Sequence, residues 1–418
     1  MELETATSAA SSAPTERHTD HMTMDDVLDT SEKLATVLLR WKQANTAPSS
    51  IKQAPSFNAT QLAELCGKSP DQMARLLEQA DDKGLPSGAA PHVRGRPRVF
   101  TWAECWQWIR RVRQPHLRPE GKHGAVISVG IFKGGVGKTV VTMALAQGLT
   151  MRGYKVLVID CDPQGSLTSM LGVTPTDVPE ELTAAPLTYI QKPDSERHAS
   201  ARDTLDESIR PSYWAGIDLV PGNFALFQGE FLLPLRQMRA RQYERDFRFY
   251  DVFAKALQPL RMHYDYILLD TPPALSYMTL AAHWAADALL MPVPPEGMDF
   301  TSAAEFLGML EQVSSATTGA EKTFSWIRAV PSKVDKTKLH THDILTLMKL
   351  GFGPLLSSVE LPETAAVKVG AARLESVYDI SKYVGDRRTL LRARAAYDAL
   401  ADEVDALTQK NVWGRVAA

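Results

Sequence analysis

The sequence predicts an α/β protein whose main domain is a doubly wound, mostly parallel sheet with helices on both faces. Two observations predict this fold class. From residue 125 onward, strand-length runs that are apolar on both faces alternate with helical stretches, which is typical of a parallel sheet covered on both sides. A glycine-rich segment also separates the first run from a helical segment. The runs expected to form strands are 125–131, 155–160, 217–221, 264–270, 287–293 and 325–331.

Composition places few limits on function but excludes some classes. The chain has 418 residues, 44% of them hydrophobic, and a net charge of −3, which allows two or three globular domains. Residues 1–22 are rich in Ser, Thr and Ala and are expected to be a disordered tail rather than a signal peptide. Since no run approaches the roughly 20 apolar residues that cross a bilayer, we expect a cytoplasmic protein that does not contact membranes.

The segments ahead of the first run predict an N-terminal helix and then a small helical domain. Residues 23–45 have apolar side chains at the spacing of one helix face, suited to dimerisation or to packing on the chain's own domain. Residues 50–118 begin with a helix ending at Gly67 and a second helix starting after Ser69, which is helix-turn-helix spacing.

An arginine-rich turn, a short strand and another helix follow this pair, as in a winged helix-turn-helix domain that binds DNA. A solvated arginine face is the alternative interpretation. The wing residues expected to contact DNA are Arg94, Arg96 and Arg98.

The main domain is expected to span residues 123–408, after a linker rich in Pro and Gly. Within it, residues 172–212 are rich in Pro, Thr and acidic side chains and predict one short helix among loops. Residues 409–418 are expected to be a tail. The three cysteines are far apart, fit no metal or disulfide spacing, and are interpreted as small buried hydrophobic residues.

The segment KGGVGKT, which follows the first run, predicts a phosphate-binding loop. Glycines let the backbone curl round phosphates, and the loop amides and the next helix N-terminus present positive partial charge to them. Lys138 is expected to neutralise the β- and γ-phosphates, and the Thr139 hydroxyl is expected to ligate Mg²⁺. The residues expected to bind ATP or ADP here are Gly134, Gly135, Val136, Gly137, Lys138, Thr139 and Val140.

Carboxylates follow two of the other runs. Asp270 ends a strand where a carboxylate would hold Mg²⁺ through a water. Asp160 and Asp162 lie on one face of an extended chain, so both could point into the phosphate site. A free Asp has a pKa of about 3.9, too low to deprotonate water efficiently at neutral pH, so Asp162 is expected to position the attacking water and to lie near the metal. Helix capping or turn formation is the alternative for each aspartate.

The segments KGGVGKT, DCDPQGS and YDYILLDTPP together resemble the deviant Walker A, A′ and B motifs of the ParA-type partition ATPases, within the ParA/MinD group of P-loop proteins. The resemblance covers roughly residues 124–405. It implies an ATP-dependent homodimer in which Lys133 reaches the phosphates held by the partner, as an arginine finger does in trans. The catalytic residues would then be Lys133, Lys138 and Asp162.

The same resemblance implies weak, Mg²⁺-dependent ATP hydrolysis that DNA and a ParB-type centromere-binding partner stimulate. It also implies binding to non-specific DNA, with association to the nucleoid, and, for the larger plasmid-type members, repression of the chain's own operon through operator DNA. In the segment PVPPEGMDFTS, Pro294 would flank the adenine. Lys368 and Arg373 would contact DNA phosphates, with exposed helix charge as the alternative.

Two positions depart from the usual motif of this family. Phe132 and Val140 stand where the family usually has a polar residue and a threonine, but neither change removes a group that touches phosphate or metal.

A transcriptional repressor that uses nucleotide only as an allosteric ligand is the second interpretation, and the presence of Lys133, Asp162 and Asp270 favours the ATPase. The C-terminal sequence TQKNVWGRVAA lacks the basic amphipathic helix of a membrane-cycling protein.

Overall fold

The computed structural model describes residues 23–45, 52–89, 98–189, 201–243, 247–318, 322–380 and 385–415. The chain forms two compact units, residues 1–51 and 52–418. In the first unit the structure describes one helix, α1 (Met24–Asn45). Its apolar residues Val27 and Leu34 are 47% and 58% exposed. A helix with an exposed apolar stripe is suited to association, and the dimerisation role of α1 stays a prediction.

The second unit contains two sheets and the remaining helices. Its strands are β1 (Phe57–Asn58), β2 (Val99–Phe100), β3 (Ala125–Val129), β4 (Val156–Asp160), β5 (Arg210–Pro211), β6 (Ile217–Val220), β7 (Tyr266–Asp270), β8 (Ala288–Val293) and β9 (Trp326–Pro331). Its helices are α2 (Ala59–Leu65), α3 (Pro70–Glu78), α4 (Trp102–Arg113), α5 (Lys138–Thr150), α6 (Ser166–Met170), α7 (Gly229–Tyr243), α8 (Asp251–Leu257), α9 (Tyr277–Ala285), α10 (Gly297–Thr318), α11 (Thr341–Phe352), α12 (Ala365–Ala372) and α13 (Arg387–Asn411). None of the helices in the described part of the chain is long and apolar enough to span a bilayer.

The main sheet has seven strands in the order β5-β6-β4-β7-β3-β8-β9. All neighbouring strands are parallel except β5, which pairs with β6 in the antiparallel sense. The predicted α/β sheet is therefore confirmed, and each of the six predicted runs contains a strand. The sequence did not indicate β5, because this edge strand has two exposed residues and one of them is a proline.

Alternate residues of each central strand pack on opposite sides of the sheet. On one side, Ile127 and Val158 pack with α5 and α13 in the largest apolar core. On the other side, Val126 and Ile159 pack with α8 and α9. Both faces of the strands are thus buried, which is why these segments are apolar at every position.

Residues 52–89 and 98–118 form a small helical element with a two-stranded ribbon, in which β1 pairs with β2 in the antiparallel sense. The α2 and α3 helices each begin with a reciprocal capping box, at Asn58 and at Ser69. Between them, Gly67 adopts a left-handed conformation with φ of 62°, which glycine accommodates without strain. The predicted wing residues Arg94 and Arg96 lie outside the described residues, so DNA binding by this element stays a prediction.

This small element packs tightly on the main sheet rather than being separated from it by a linker. Asp265, directly before β7, accepts hydrogen bonds from Arg110 (2.9 Å) and Arg118 (3.0 Å). The Trp102 indole donates to the carbonyl of Ala215 at 2.9 Å. The Pro- and Gly-rich composition of this region gave no sign of these long-range polar contacts.

One expectation, for the C-terminal end, is corrected. Residues 409–418 are not simply a tail, because α13 continues to Asn411 and Trp413 is only 2% exposed. The Trp413 ring packs against Tyr154 and Tyr266, so one aromatic anchor places this segment in the core. The described parts of 172–212 contain four short 3₁₀ turns: Pro175–Asp177, Glu180–Leu182, Ala185–Thr188 and Asp206–Ser208. Residues 190–200 lie outside the described residues, so the one short helix expected in this segment stays a prediction.

Candidate functional site

The candidate site lies at the carboxyl edge of the three central strands β4, β7 and β3. In the sheet register, Asp270 of β7 is the partner of Asp160 in β4 and of Val129 in β3. The glycine loop after β3 therefore lies beside the carboxylates that end the two neighbouring strands. Ligands of open parallel sheets bind at this edge.

The glycine loop forms an open concave backbone surface. Gly135 and Gly137 have φ of 74° and 98°, a conformation that favours glycine. A Cβ placed at either residue would meet no atom within 4 Å among the described residues, so the space above the loop is open. Val136 points away from this space: its side chain is buried, and its carbonyl accepts from the Ser332 hydroxyl at 3.0 Å. Val136 can therefore serve a ligand only through its main chain.

Lys138 begins α5 and is held inside the loop. Its side chain is buried, and Nζ donates to the carbonyls of Lys133 (2.8 Å) and Ile131 (3.3 Å). Burial lowers the pKa of Lys138, and the charges of Asp270 and Asp162 oppose that shift. A buried ammonium group beside an open cradle of amides is suited to an anion with several charged oxygens.

Asp270 is fully buried and only partly satisfied. Its Oδ1 accepts from the Thr142 hydroxyl at 2.9 Å, whereas Oδ2 has no hydrogen-bond partner among the described residues. Burial raises the pKa of Asp270 to about 7, repulsion by Asp160 adds to this, and the Thr142 and Thr139 hydroxyls oppose it. A buried carboxylate oxygen without a partner, close to a threonine hydroxyl, fits a hard cation such as Mg²⁺.

No group of three or more His, Cys, Asp or Glu side chains suited to a metal ion occurs in the described residues. A cation here would therefore take only part of its ligands from the protein. Mg²⁺ commonly binds in this way, through one or two protein oxygens, substrate phosphates and water. The open loop, Thr139 and Asp270 thus fit a complex of Mg²⁺ with a polyphosphate.

The structure gives different roles to the two aspartates after β4. Oδ2 of the fully buried Asp160 accepts from the backbone and hydroxyl of Thr168, at 2.8 and 2.7 Å. Burial raises the pKa of Asp160 to about 6, although these hydrogen bonds act to lower it. The sequence had allowed Asp160 to point into the phosphate site, but the structure shows that its side chain holds α6 instead. Asp162 is half-buried, and its Oδ1 accepts from Gln164 N at 2.9 Å, so it does form the turn considered as the alternative.

Lys133 lies on the rim of the loop and contacts the start of α10. Its Nζ is 3.1 Å from Oδ1 of Asp299, in the first turn of that helix. The Asp299 side chain is 10% exposed and that of Lys133 is 37% exposed. Sequence reasoning did not single out Asp299, since its only signal was an acidic residue after β8. The open pocket around this pair is lined by Lys133, Glu296, Gly297, Met298, Asp299, Lys338 and His340.

The remaining predicted contacts lie farther along the chain. Pro294 directly follows β8 and is buried at the same edge of the sheet. Arg98 donates to the carbonyl of Ser87 at 3.0 Å. Lys368 is exposed and lies 3.0 Å from Glu363, and Arg373 is exposed at the end of α12.

Sequence reasoning missed a basic segment next to α12. Arg387, Arg388 and Arg392 are exposed on the first turns of α13, and α13 packs against α12. The run RRTLLRAR was the available signal. Together with Lys368 and Arg373 these side chains form what we call the α12–α13 basic surface.

Burial of Asp270 predicts a pH-dependent stability in the absence of nucleotide and metal. An unfolded Asp titrates near pH 3.9, so between about pH 4 and 7 the native state holds a proton that the unfolded chain has released. Stability therefore falls as pH rises through this window. Relative to Asp270→Asn, the wild-type protein should lose unfolding free energy as the pH rises from 5 to 8, measured by urea unfolding in EDTA.

The comparison with Asp270→Asn also removes the contribution of another buried group. Burial lowers the pKa of His283 to about 3, so the unfolded chain gains a proton at His283 that the native state lacks. This effect makes stability rise with pH up to about 6.5 and is common to both proteins. If the difference in unfolding free energy between wild type and Asp270→Asn did not change with pH, the raised pKa of Asp270 would be contradicted.

Solved structures share this fold. A chain described as "Partition Protein" aligns with a TM-score of 0.62 at 21% identity, over 92% of this chain and 99% of that chain. Cobyrinic acid a,c-diamide synthase from Mycobacterium smegmatis, solved with bound ADP and magnesium, aligns with a TM-score of 0.50 at 23% identity, over 70% of this chain and 97% of that one.

The parallel sheet, the glycine loop and the buried lysine and carboxylate beside it define a P-loop protein. A family model described as an AAA domain matches residues 124–322. The chain is 33% identical to the putative replication protein A of Rhizobium rhizogenes over 307 residues, 72% of each chain. It is 33% identical to the chromosome partitioning protein ParA of Myxococcus xanthus over 173 residues, 41% of this chain and 53% of that protein. The chain belongs to the ParA-type partition ATPases.

Proposed function

We propose that this protein is an Mg²⁺-dependent ATPase that segregates DNA. The observation that carries the proposal is the pairing of a buried lysine, Lys138, with a buried and partly unsatisfied carboxylate, Asp270, beside an open glycine loop. Burying both charged groups is costly unless a ligand completes the site. ATP or ADP with Mg²⁺ supplies the matching charges and oxygen ligands.

Each residue of the site has a distinct task in this proposal. The amides of Gly134, Gly135 and Gly137 hold the phosphates, and Lys138 neutralises them. Thr139 and Asp270 hold Mg²⁺, which when bound offsets the negative charge of the phosphates. Asp162 lies at the edge of the site, where it orients the attacking water and contacts the solvent shell of the metal.

Two copies of the chain act together in hydrolysis. Lys133 projects from the rim of the loop with more than a third of its side chain exposed, so it can reach a nucleotide held by a second copy. Such a cation stabilises charge in the transition state of phosphoryl transfer. The exposed apolar stripe of α1 is a further surface for association of two copies.

DNA contacts are proposed at two places. The α12–α13 basic surface binds phosphates without sequence preference and keeps the ATP-bound dimer on the nucleoid, with steep salt dependence. The element formed by α2, α3 and the β1–β2 ribbon binds operator DNA as a winged helix-turn-helix, with Arg98 at the base of the wing, and represses the chain's own operon. A ParB-type centromere-binding partner stimulates hydrolysis and thereby releases the dimer from DNA.

The proposal predicts ATP hydrolysis that requires Mg²⁺ and rises when DNA and the ParB-type partner are added. Hydrolysis by the purified protein is measured with and without each addition, and Lys138→Ala serves as the inactive control. If the wild-type protein hydrolysed no more ATP than Lys138→Ala in the presence of both, the segregation proposal would fail. Operator binding that still responded to nucleotide would then identify a nucleotide-regulated repressor.

A further inference from the structure

Lys133, on the rim of the glycine loop, forms an ion pair with Asp299 of its own chain. Nζ and Oδ1 are 3.1 Å apart, and Asp299 is the less exposed of the two side chains. Under the proposed function, Lys133 acts on the nucleotide of a second copy. At this distance one of the three ammonium donors is engaged by Asp299, so contact with phosphates of a second copy competes with an ion pair inside the monomer.

The surroundings of Asp299 make it a stable acceptor. It lies in the first turn of α10, where the helix dipole favours a negative charge. Only 7% of the residue is exposed, so the ion pair is less screened by solvent than a surface pair. To act on the nucleotide of a second copy, Lys133 must therefore give up its contact with the Asp299 carboxylate and bind the phosphates instead.

Asp299 is also connected to the edge of the nucleotide site. The Glu296 amide donates to the carbonyl of Pro294 at 2.8 Å, and the Asp299 amide donates to the carbonyl of Glu296 at 3.0 Å. This tight turn links Asp299 to the residue expected beside adenine. A nucleotide that packs on Pro294 would therefore lie beside the turn that holds Asp299.

We propose that Asp299 is a positioning residue that retains Lys133 in the monomer and so opposes premature dimerisation. The inference rests on the proposed function, because it concerns the lysine of that same site. Breaking the ion pair before dimerisation weakens the association of two ATP-bound copies. Removing the charge of Asp299 should therefore strengthen dimerisation without changing how the monomer binds nucleotide.

The test compares Asp299→Asn with the wild-type protein. The dimer dissociation constant is measured by analytical ultracentrifugation with a non-hydrolysable ATP analogue and Mg²⁺. We expect Asp299→Asn to lower this constant about three- to tenfold, the range of a partly screened ion pair. Asp299→Glu, which keeps the charge, should stay within about twofold of wild type. Nucleotide affinity of the monomer, measured by fluorescence with the same analogue, should not change.

A double-mutant cycle shows whether the effect passes through Lys133. In a Lys133→Ala background, Asp299→Asn should no longer strengthen dimerisation, since there is no lysine to release. Glu296→Gln is the matched control: it breaks the 3.1 Å pair with Lys338 in the same pocket. Its effect should be equal with and without Lys133.

The outcomes separate this inference from the function on which it rests. If wild type forms an ATP-dependent dimer, but Asp299→Asn leaves its dissociation constant unchanged or raises it, the retention role is wrong and the proposed function stands. An equal effect of Asp299→Asn in both backgrounds would also overturn the retention role. If wild type forms no dimer with the analogue, both the inference and the dimeric mechanism fail.

Discussion

Lys133→Ala is expected to lower the stimulated rate of ATP hydrolysis by about 10³-fold, while the monomer still binds ATP with nearly wild-type affinity. This is the lower end of the effect measured for cations that act in trans on phosphoryl transfer. The structure explains why binding survives: Lys133 contributes its carbonyl to Lys138, and this main-chain contact is kept in the variant. The Lys133 side chain is directed to Asp299 at the rim rather than into the loop.

Steady-state hydrolysis, nucleotide affinity and molecular mass by light scattering test this expectation together. Lys338→Ala is a matched control, because it removes a second lysine of the same pocket that pairs with Glu296 and has no proposed phosphate contact. Its hydrolysis rate should stay near wild type. A Lys133→Ala protein that forms a fully active dimer would contradict the role of this lysine in trans.

The sequence predicted the central sheet and the loop because both leave strong local signals. Strands buried on two faces are apolar at every position, as in β3 and β4. A loop that must adopt φ above zero needs glycine, as at Gly135 and Gly137. Asp270 was predictable because it ends such a strand within the segment YDYILLDTPP, which resembles a Walker B motif.

The features that were missed depend on which group each side chain meets in the folded chain. Asp160 ends β4 and Asp162 follows two residues later, yet only the position of Thr168 on α6 decides that Asp160 is structural. Likewise Asp299 becomes informative only through its contact with Lys133, 166 positions earlier. Hydrophobic periodicity reports how buried a residue is, but not which group it meets.

The packing of the N-terminal element on the main sheet has a consequence for how the two parts communicate. Arg110 and Arg118 converge on Asp265, the residue directly before β7, and Asp270 ends that strand. One strand of five residues therefore links the contact with the small helical element to the candidate metal site. This supports, within the proposed function, a coupling between nucleotide state and operator binding.

Asp162→Ala is expected to bind ATP and dimerise but to hydrolyse ATP at least about 100-fold more slowly, the cost of losing one positioning group. The dimer should consequently stay on DNA after ATP is added. Asp162 lies beside the site without holding it together: Lys138, Thr139 and Asp270 do not depend on it for a hydrogen bond in the described structure. Single-turnover hydrolysis and the rate of release from immobilised DNA measure the two effects.

The alternative, in which Asp162 only forms a turn, requires a variant that keeps the turn and loses the charge. Asp162→Asn has a side-chain oxygen that can still accept from the Gln164 amide, as Asp162 does at 2.9 Å. If charge positions the water, Asp162→Asn should be as slow as Asp162→Ala and should likewise remain on DNA. Wild-type hydrolysis and release by Asp162→Asn would instead assign Asp162 to the turn alone. Asp177→Ala, which changes an exposed aspartate on a nearby 3₁₀ turn, should behave as wild type in both assays.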